Sequence, residues 1–230
     1  MYNADQMWVA IDCLVFGYDV QEEKLKVLLF KRKIEPFAGQ WSLIGGLVHY
    51  GEDIYSCAER VLKEFTGLEN VFLEQLHTYG KAQRDPGGRV ISILYWSLIK
   101  LDQLFKDIAQ AHGAKWFDVD KLPEMILDHP RMVENGKDKL KFQAKNAPLG
   151  FELLPENFTM PQLLQLYQAI YGQPLDDRNF RKKILSTKLL VKQDKKDKSG
   201  SKKGAFFYQF DKEKYQELRD KGYHIEFALK

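Results

Sequence analysis

A paired glycine running into a strongly amphipathic segment constrains this chain more than any other feature: residues 45–68, GGLVHYGEDIYSCAERVLKEFTGL. Gly45 and Gly46 permit turns or close approaches that a Cβ would obstruct, so the segment is expected to open as a glycine-rich loop. Gly51, Glu52 and Asp53 then supply turn formers and two acids at a helix start, where the peptide dipoles favour negative charge. Ile54, Ala58, Val61, Leu62 and Phe65 recur at helical spacing, which predicts a core-facing stripe on a helix that Gly67 stops. Glu59, Arg60, Lys63 and Glu64 are left for the other faces, with Glu59 and Lys63 expected to meet water.

The spacing from Gly46 to Glu52, Arg60, Leu62, Glu64, Gly67 and Leu68 resembles the signature of the Nudix superfamily, whose enzymes hydrolyse nucleoside diphosphates linked to another group. Family enzymes carry glutamates after the arginine and at both residues of a later pair. The matching positions here are Val61, Glu64 and Phe65. Cleaving a diphosphate needs carboxylate-bound magnesium or an equivalent charge clamp, plus a base for water. Valine and phenylalanine supply neither, and both fit the apolar stripe, so a former metal face is expected to be absorbed into packing. The resemblance thus implies the fold without the chemistry: no catalytic residue, metal ligand or cofactor is assigned. The alternative is a working hydrolase of ADP-ribose or another nucleoside diphosphate sugar, using Glu52, Glu64 and a third carboxylate.

The charge distribution bears on the partner. Residues 1–155 hold 19 Lys+Arg against 22 Asp+Glu, whereas residues 156–230 hold 16 against 10, so the formal +3 of the 230-residue chain conceals a basic C-terminal module. Cys13 and Cys57 have neither metal-ligand spacing nor a disulfide framework, which suits a reducing cytosol. His49, His77, His112 and His224 show no ligand spacing and support no zinc site. With no basic leader and no run near about 18 apolar residues, a cytoplasmic chain without a membrane segment is expected.

Strands are predicted over 7–18, 24–30, 71–77, 90–99 and 114–119, and Asp128 and Pro130 open a helix running to about residue 145. His129 reads as a capping or packing residue of that helix rather than a base. In Nudix-related proteins a strand ending in a lysine-arginine pair, then a loop and a tryptophan, borders the ligand cleft, which implicates Arg32 and Trp41. The segment KAQRDPGGR, 81–89, contains an Asp-Pro-Gly-Gly turn and resembles the arginine-aspartate-proline segment of ADP-ribose-handling Nudix domains and their regulatory relatives. That resemblance places Arg84 or Arg89 near the ligand or a dimer contact, and guanidinium forks suit phosphates or vicinal hydroxyls. Glu64 completes the candidate effector contacts.

Residues 146–157, with Pro148, Gly150 and Pro155, read as a domain junction. Beyond it Thr159 is a good N-cap for a helix with Leu163, Leu166, Tyr167 and Ile170 inward. Gly172-Gln173-Pro174 turns the chain, and Asp176 or Asp177 caps a second helix, RNFRKKILS, with Phe180, Ile184 and Leu185 inward. Two helices about a tight turn, followed by strands at 189–191 and 205–210 joined by a polar tip, read as a winged helix. Residues 178–203 hold 11 positive against 2 negative side chains, including Lys192, Lys195, Lys196, Lys198, Lys202 and Lys203 in the tip. A basic second helix and a lysine-rich tip can meet one phosphate backbone, so DNA is the better explanation of the charge.

Residues 7–210 closely resemble the Nudix-related transcriptional regulators, in which a Nudix-like sensor is fused to a C-terminal winged helix. The resemblance implies a homodimer on double-stranded operator DNA. Some members respond to ADP-ribose in NAD biosynthesis and others to arabinose in pentose use. It also puts Arg178, Asn179, Arg181, Lys182 and Lys183 in the DNA-reading helix. Arginine matches guanine and asparagine adenine in the major groove, which selects Arg178 and Asn179 for base contact. Arg181, Lys182, Lys183 and the tip lysines Lys192, Lys195, Lys196, Lys202 and Lys203 are expected to fix phosphate register. The expected chain is α+β: an α/β/α Nudix-like sandwich with a mixed sheet over 1–148, a linker over 149–157, and a winged helix-turn-helix domain with a C-terminal extension over 158–230. Its expected function is that of a non-hydrolytic regulator of a metabolic operon, with a pentose sugar or ADP-ribose as effector.

Overall fold

Strand β1 (Trp8–Asp19) is buried from Ile11 onward, so both of its faces need cover. The computed structural model, which describes residues 7–146, 149, 152–199 and 203–220, supplies a helix to each face. Ile11, Cys13 and Val15 pack with Cys57, Ala58, Val61 and Leu62 of α1 (Ile54–Thr66). The intervening residues Leu14 and Phe16 meet α3 (His129–Asn146) at Gly136, where an added Cβ would lie 3.1 Å from the Phe16 ring. Because side chains alternate along a strand, this one segment sets an α/β/α layering.

The sheet runs β3 (Trp41–Ser42), β2 (Lys24–Lys31), β1, β6 (Val90–Leu101), β5 (Glu74–Tyr79), with β4 (Ile44–Leu47) paired to β1 and β7 (Ala114–Asp118) to β2. Gly45 and Gly46 therefore lie in a strand and not in the expected loop, antiparallel to Asp12 and Ile11. The glycines are required by approach. A Cβ on Gly46 would sit 2.8 Å from Val61 Cγ1, and one on Gly45 2.7 Å from the Ile11 carbonyl oxygen.

Helix α1 ends at Gly67, whose left-handed φ of 71° lets its N–H reach the Lys63 carbonyl at 2.8 Å. Val61 and Leu62 are buried as expected, and Phe65 packs its ring 5.1 Å from that of Phe30. Ile54 instead remains 38% exposed, and the buried arc begins one turn later with Cys57. Helix α2 (Gln103–Ala111) had no counterpart in the sequence expectations. Asp102 caps it by accepting from Phe105 N at 2.9 Å.

The chain divides into two compact units, Met1–Gly17 with Lys26–Lys137 and Tyr18–Leu25 with Asp138–Lys230. The second unit takes in the latter part of α3, ahead of the boundary expected at residue 148, while Pro148, Gly150 and Lys202 lie outside the described residues. So does the C-terminal extension beyond 220. A three-stranded sheet, β8 (Phe158–Thr159), β10 (Ala205–Phe210), β9 (Leu190–Asp197), accompanies α4 (Met160–Tyr171), α5 (Asp177–Ser186) and α6 (Lys212–Asp220). Thr159 and Gln162 form a reciprocal capping box at α4. Tyr167 of α4 meets Phe180 of α5 edge to face at 5.3 Å, and Leu175 N donates to Gln168 Oε1 at 3.0 Å, fixing the turn between them. Leu185, expected inward, is 46% exposed, so Phe180 and Ile184 anchor the second helix alone. Among the described residues no helix is long and apolar enough to cross a membrane.

Replacing Gly136 with valine forces new methyl groups into Leu14 and Phe16, both fully buried. Overpacking of this kind costs about 1–3 kcal/mol. A urea titration followed by circular dichroism should register that loss as a lowered midpoint with an unchanged slope.

Candidate effector site and nucleic-acid interface

The Nudix-like box keeps its Arg60 and first glutamate, but they bind each other. Arg60 grips Glu52 with two bonds, Nε to Oε1 at 2.6 Å and Nη2 to Oε2 at 2.9 Å, and Nη2 also donates to the Leu47 carbonyl at 3.1 Å. His49 N donates to Glu52 Oε2 at 3.0 Å. The Arg60 bonds, then that backbone donor, hold the Glu52 carboxyl down at about 2. Glu64 is exposed and only 3.5 Å from Arg60 Nη1. Val61 is in the core, and the Phe65 ring packs at a tilt against that of Phe30. Magnesium needs an oxygen-rich octahedron, and these residues do not fit one. Among the described residues no group of three or more His, Cys, Asp or Glu is placed to hold a metal.

A second set of charges is buried at the start of α3. Arg84, with a side chain 4% exposed, donates from Nε to Asp128 Oδ2 at 3.0 Å and from Nη2 to Asp128 Oδ1 at 2.6 Å. Asp12 of β1 lies 3.9 Å from the same Nη2 and accepts from the Ser92 hydroxyl of β6. His129 completes the group. Its Nδ1 accepts from Leu43 N at 3.0 Å, which places the proton of the neutral ring on Nε2, 3.7 Å from Asp12 Oδ1. Burial pushes the His129 pKa below its usual 6.5, Asp12 and Asp128 oppose that, and Arg84 and Arg32 reinforce it. Sequence reasoning anticipated a packing role for His129 and missed Asp12 and Ser92. A lone acid inside the apolar run WVAIDCLVF was the available signal.

Arg32, Trp41 and Arg84 thus gather near the start of α3. Arg32 Nε donates to the Pro36 carbonyl at 2.8 Å. The Trp41 ring stands edge-on to Phe117 at 4.8 Å, and its carbonyl accepts from Ile126 N at 3.1 Å. Arg84 has its fork committed to Asp128. Arg89 stays at the 81–89 loop, donating to the Lys81 carbonyl at 3.4 Å, and Glu64 stays with Arg60 on α1. A pocket of about 630 Å³ opens nearby, lined by Val119, Leu122, Met125, Pro130 and Arg131 among others, and by none of the five predicted effector residues.

In the second unit, Phe180 and Ile184 point α5 into its own core, which turns Arg178, Asn179 and Lys182 outward and leaves all three exposed. Asp176 caps the helix by accepting from Asn179 N at 2.7 Å. Arg181 is held on the helix by Asp177 at 2.7 Å, and Lys183 is half-buried. The expected lysine tip is largely strand: Lys192, Lys195 and Lys196 are exposed on β9, and Lys203 stands exposed where the chain returns to β10. Strand β9 extends this far because Lys192 pairs with Tyr208, and Lys196 with Phe206, of β10.

The chain matches the NUDIX domain family over residues 9–136 and the NrtR DNA-binding winged helix domain over residues 150–210. It is 28% identical over 211 residues to an ADPR responsive transcriptional repressor, NtrR, of Acinetobacter baylyi, covering 90% of this chain and 83% of that protein. Its fold resembles Shewanella oneidensis NrtR complexed with a 27mer DNA, with a TM-score of 0.72, 25% identity, and coverage of 96% of this chain and 98% of that one. The NUDIX domain of the same protein, cocrystallised with ADP ribose, matches 60% of this chain and 90% of its own at 29% identity and a TM-score of 0.51.

Because the folded pKa of His129 is lowered, the unfolded chain takes up that proton first as pH falls. The stabilisation is complete above about pH 6.5 and is lost progressively below it, by at most about 1.4 kcal/mol per pH unit. Urea midpoints measured from pH 8 down should show this fall in the wild type and a smaller one in His129→Gln.

Proposed function

The chain belongs to the Nudix family and carries an NrtR-type winged helix, and on that premise we propose that it is a homodimeric transcriptional repressor released from operator DNA by ADP-ribose. The observation that carries the DNA half is the outward row Arg178, Asn179 and Lys182, opposite the buried Phe180 and Ile184. A helix anchored on one face and cationic on the other is suited to the major groove, with Arg178 and Asn179 on base edges. Arg181, Lys182, Lys183 and the wing lysines bind phosphates, Lys202 by analogy of charge alone.

The effector half rests on the relatives named above, one responsive to ADP-ribose and one whose Nudix domain binds it. This selects ADP-ribose over the free pentose. In the Nudix unit Arg32 and Trp41 are the contacts, Arg32 offering its two Nη groups, which carry no protein partner among the described residues. Arg84 enters by way of Asp128 rather than as a free donor. Binding is without cleavage, since Val61 and Phe65 are packed and Glu52 is held by Arg60. Effector and DNA are then linked reciprocally: each lowers the affinity for the other by the same factor.

Fluorescence-anisotropy titration of genomic operator candidates and scrambled duplexes, with and without ADP-ribose, tests the proposal. Specific binding should weaken on adding ADP-ribose and not arabinose, and light scattering should give a dimer mass. Arg178→Ala should lose about 1–3 kcal/mol of discrimination at one operator position. Incubated with ADP-ribose and saturating magnesium, the protein should turn over well below the ordinary range of about 1 to 1,000 per second. Equal affinity for operator and scrambled DNA would remove the regulator reading, and ordinary turnover would restore the hydrolase.

A further inference from the structure

Two of the wing's lysines converge on one aromatic ring. Lys192 Nζ lies 3.7 Å and Lys196 Nζ 4.3 Å from the centroid of Phe206 on the neighbouring strand. The convergence depends on an irregularity in the ladder. Phe206 pairs with Lys196 while Tyr208, two residues on, pairs with Lys192, so β9 spends extra residues between these two lysines. Lys196 Nζ also lies 3.5 Å from the Lys203 carbonyl, on the far side of the wing turn. Among the described residues neither Lys192 nor Lys196 has a carboxylate partner. Of the acids on the same strand, Asp197 accepts from Ser199 N at 2.8 Å.

We propose that Phe206 is a positioning residue for DNA binding, holding Lys192 and Lys196 by cation–π contact so that both ammonium groups meet the phosphate backbone together. This rests on the DNA-binding reading above. Lysine is a flexible four-carbon stem that loses much rotamer freedom when a phosphate fixes it. A ring face that attracts the ammonium in the free protein removes part of that ordering from the binding step. It also offsets the mutual repulsion of two positive charges held within 8.0 Å, the sum of their distances to the ring centre. The ring does not neutralise them, so their full charge remains available to a polyanion carrying one charge per about 1.7 Å of duplex axis.

The test compares wild type, Phe206→Leu and Phe206→Tyr in the full chain, measuring operator affinity by anisotropy across a series of salt concentrations. Phe206→Leu keeps the apolar bulk and should lower the magnitude of the log affinity against log salt slope by about 0.9 to 1.8, the loss of one or two phosphate contacts. Phe206→Tyr, which keeps the ring, should restore the wild-type slope. In the leucine background, Lys192→Gln and Lys196→Gln should each change affinity less than they do in the wild type. Wild-type slope in a folded Phe206→Leu, or failure of the tyrosine to rescue, overturns the proposal. A second readout needs neither variant nor DNA: the ε-methylene protons of Lys192 and Lys196 should be shifted upfield by the ring current in the wild-type NMR spectrum, and ordinary lysine shifts overturn it. Wild type that binds no duplex at low salt overturns the DNA reading, and this inference with it.

Discussion

Helix α1 reaches the sheet at the contact between Gly46 and Val61, where no room for a Cβ remains. This contact governs the Nudix unit. Val61 packs onto the sheet at Gly46 of β4, joining Ile11, Cys13, Val15 and Leu62 in one cluster. Burying a valine contributes about 1.5–3 kcal/mol, whereas an unpaired carboxylate in its place would cost several. On this side of the helix Val61 and Phe65 serve packing, Val61 in the core and Phe65 against Phe30. What remains polar in the box serves the backbone: Arg60 and Glu52 tie the segment from Leu47 to His49 to α1 through the Leu47 carbonyl and the His49 N–H.

The buried charges across the sheet obey a related rule. Arg84 is tolerated inside because Asp128 meets its fork twice and Asp12 stands close, itself bonded to Ser92. Removing one member of such a group typically costs about 3–5 kcal/mol, since the others are left buried and uncompensated. The cluster joins β1, β6, the 81–89 loop and the first residues of α3. A ligand that drew on Arg84 would have to compete with Asp128, so this arginine couples the loop to α3 more than it advertises an open anion site.

Charge in the C-terminal unit follows the opposite logic. Arg178 and Lys182 stay in water, sorted to one side of α5 by the anchors Phe180 and Ile184, as do Lys192, Lys195 and Lys196 along β9, which pairs with β10. An exposed lysine contributes little to folding. Their arrangement is therefore free to serve a ligand, and the Tyr167–Phe180 contact sets the direction in which α5 presents them.

Resemblance of the spacing from Gly46 to Leu68 to the Nudix signature made the first domain's fold legible in the sequence. Local spacing did the same for the winged helix and the direction of α5, through capping residues such as Thr159 and Asp176 and the positions of Phe180 and Ile184. Legible too was the lack of a carboxylate at Val61 and Phe65, whose side chains carry no metal-ligating atom. Which partner each shared group takes was settled by contacts between distant segments. Gly45 and Gly46 became strand because a facing strand and helix left no space for a side chain, and Arg84 was claimed by Asp128, 44 residues away in the chain. Lys192 and Lys196 were drawn to Phe206 by a ladder irregularity that no spacing within β9 encodes. Period and capping act over a turn or two of backbone, whereas these partners are chosen by which distant segments the fold brings within bonding distance.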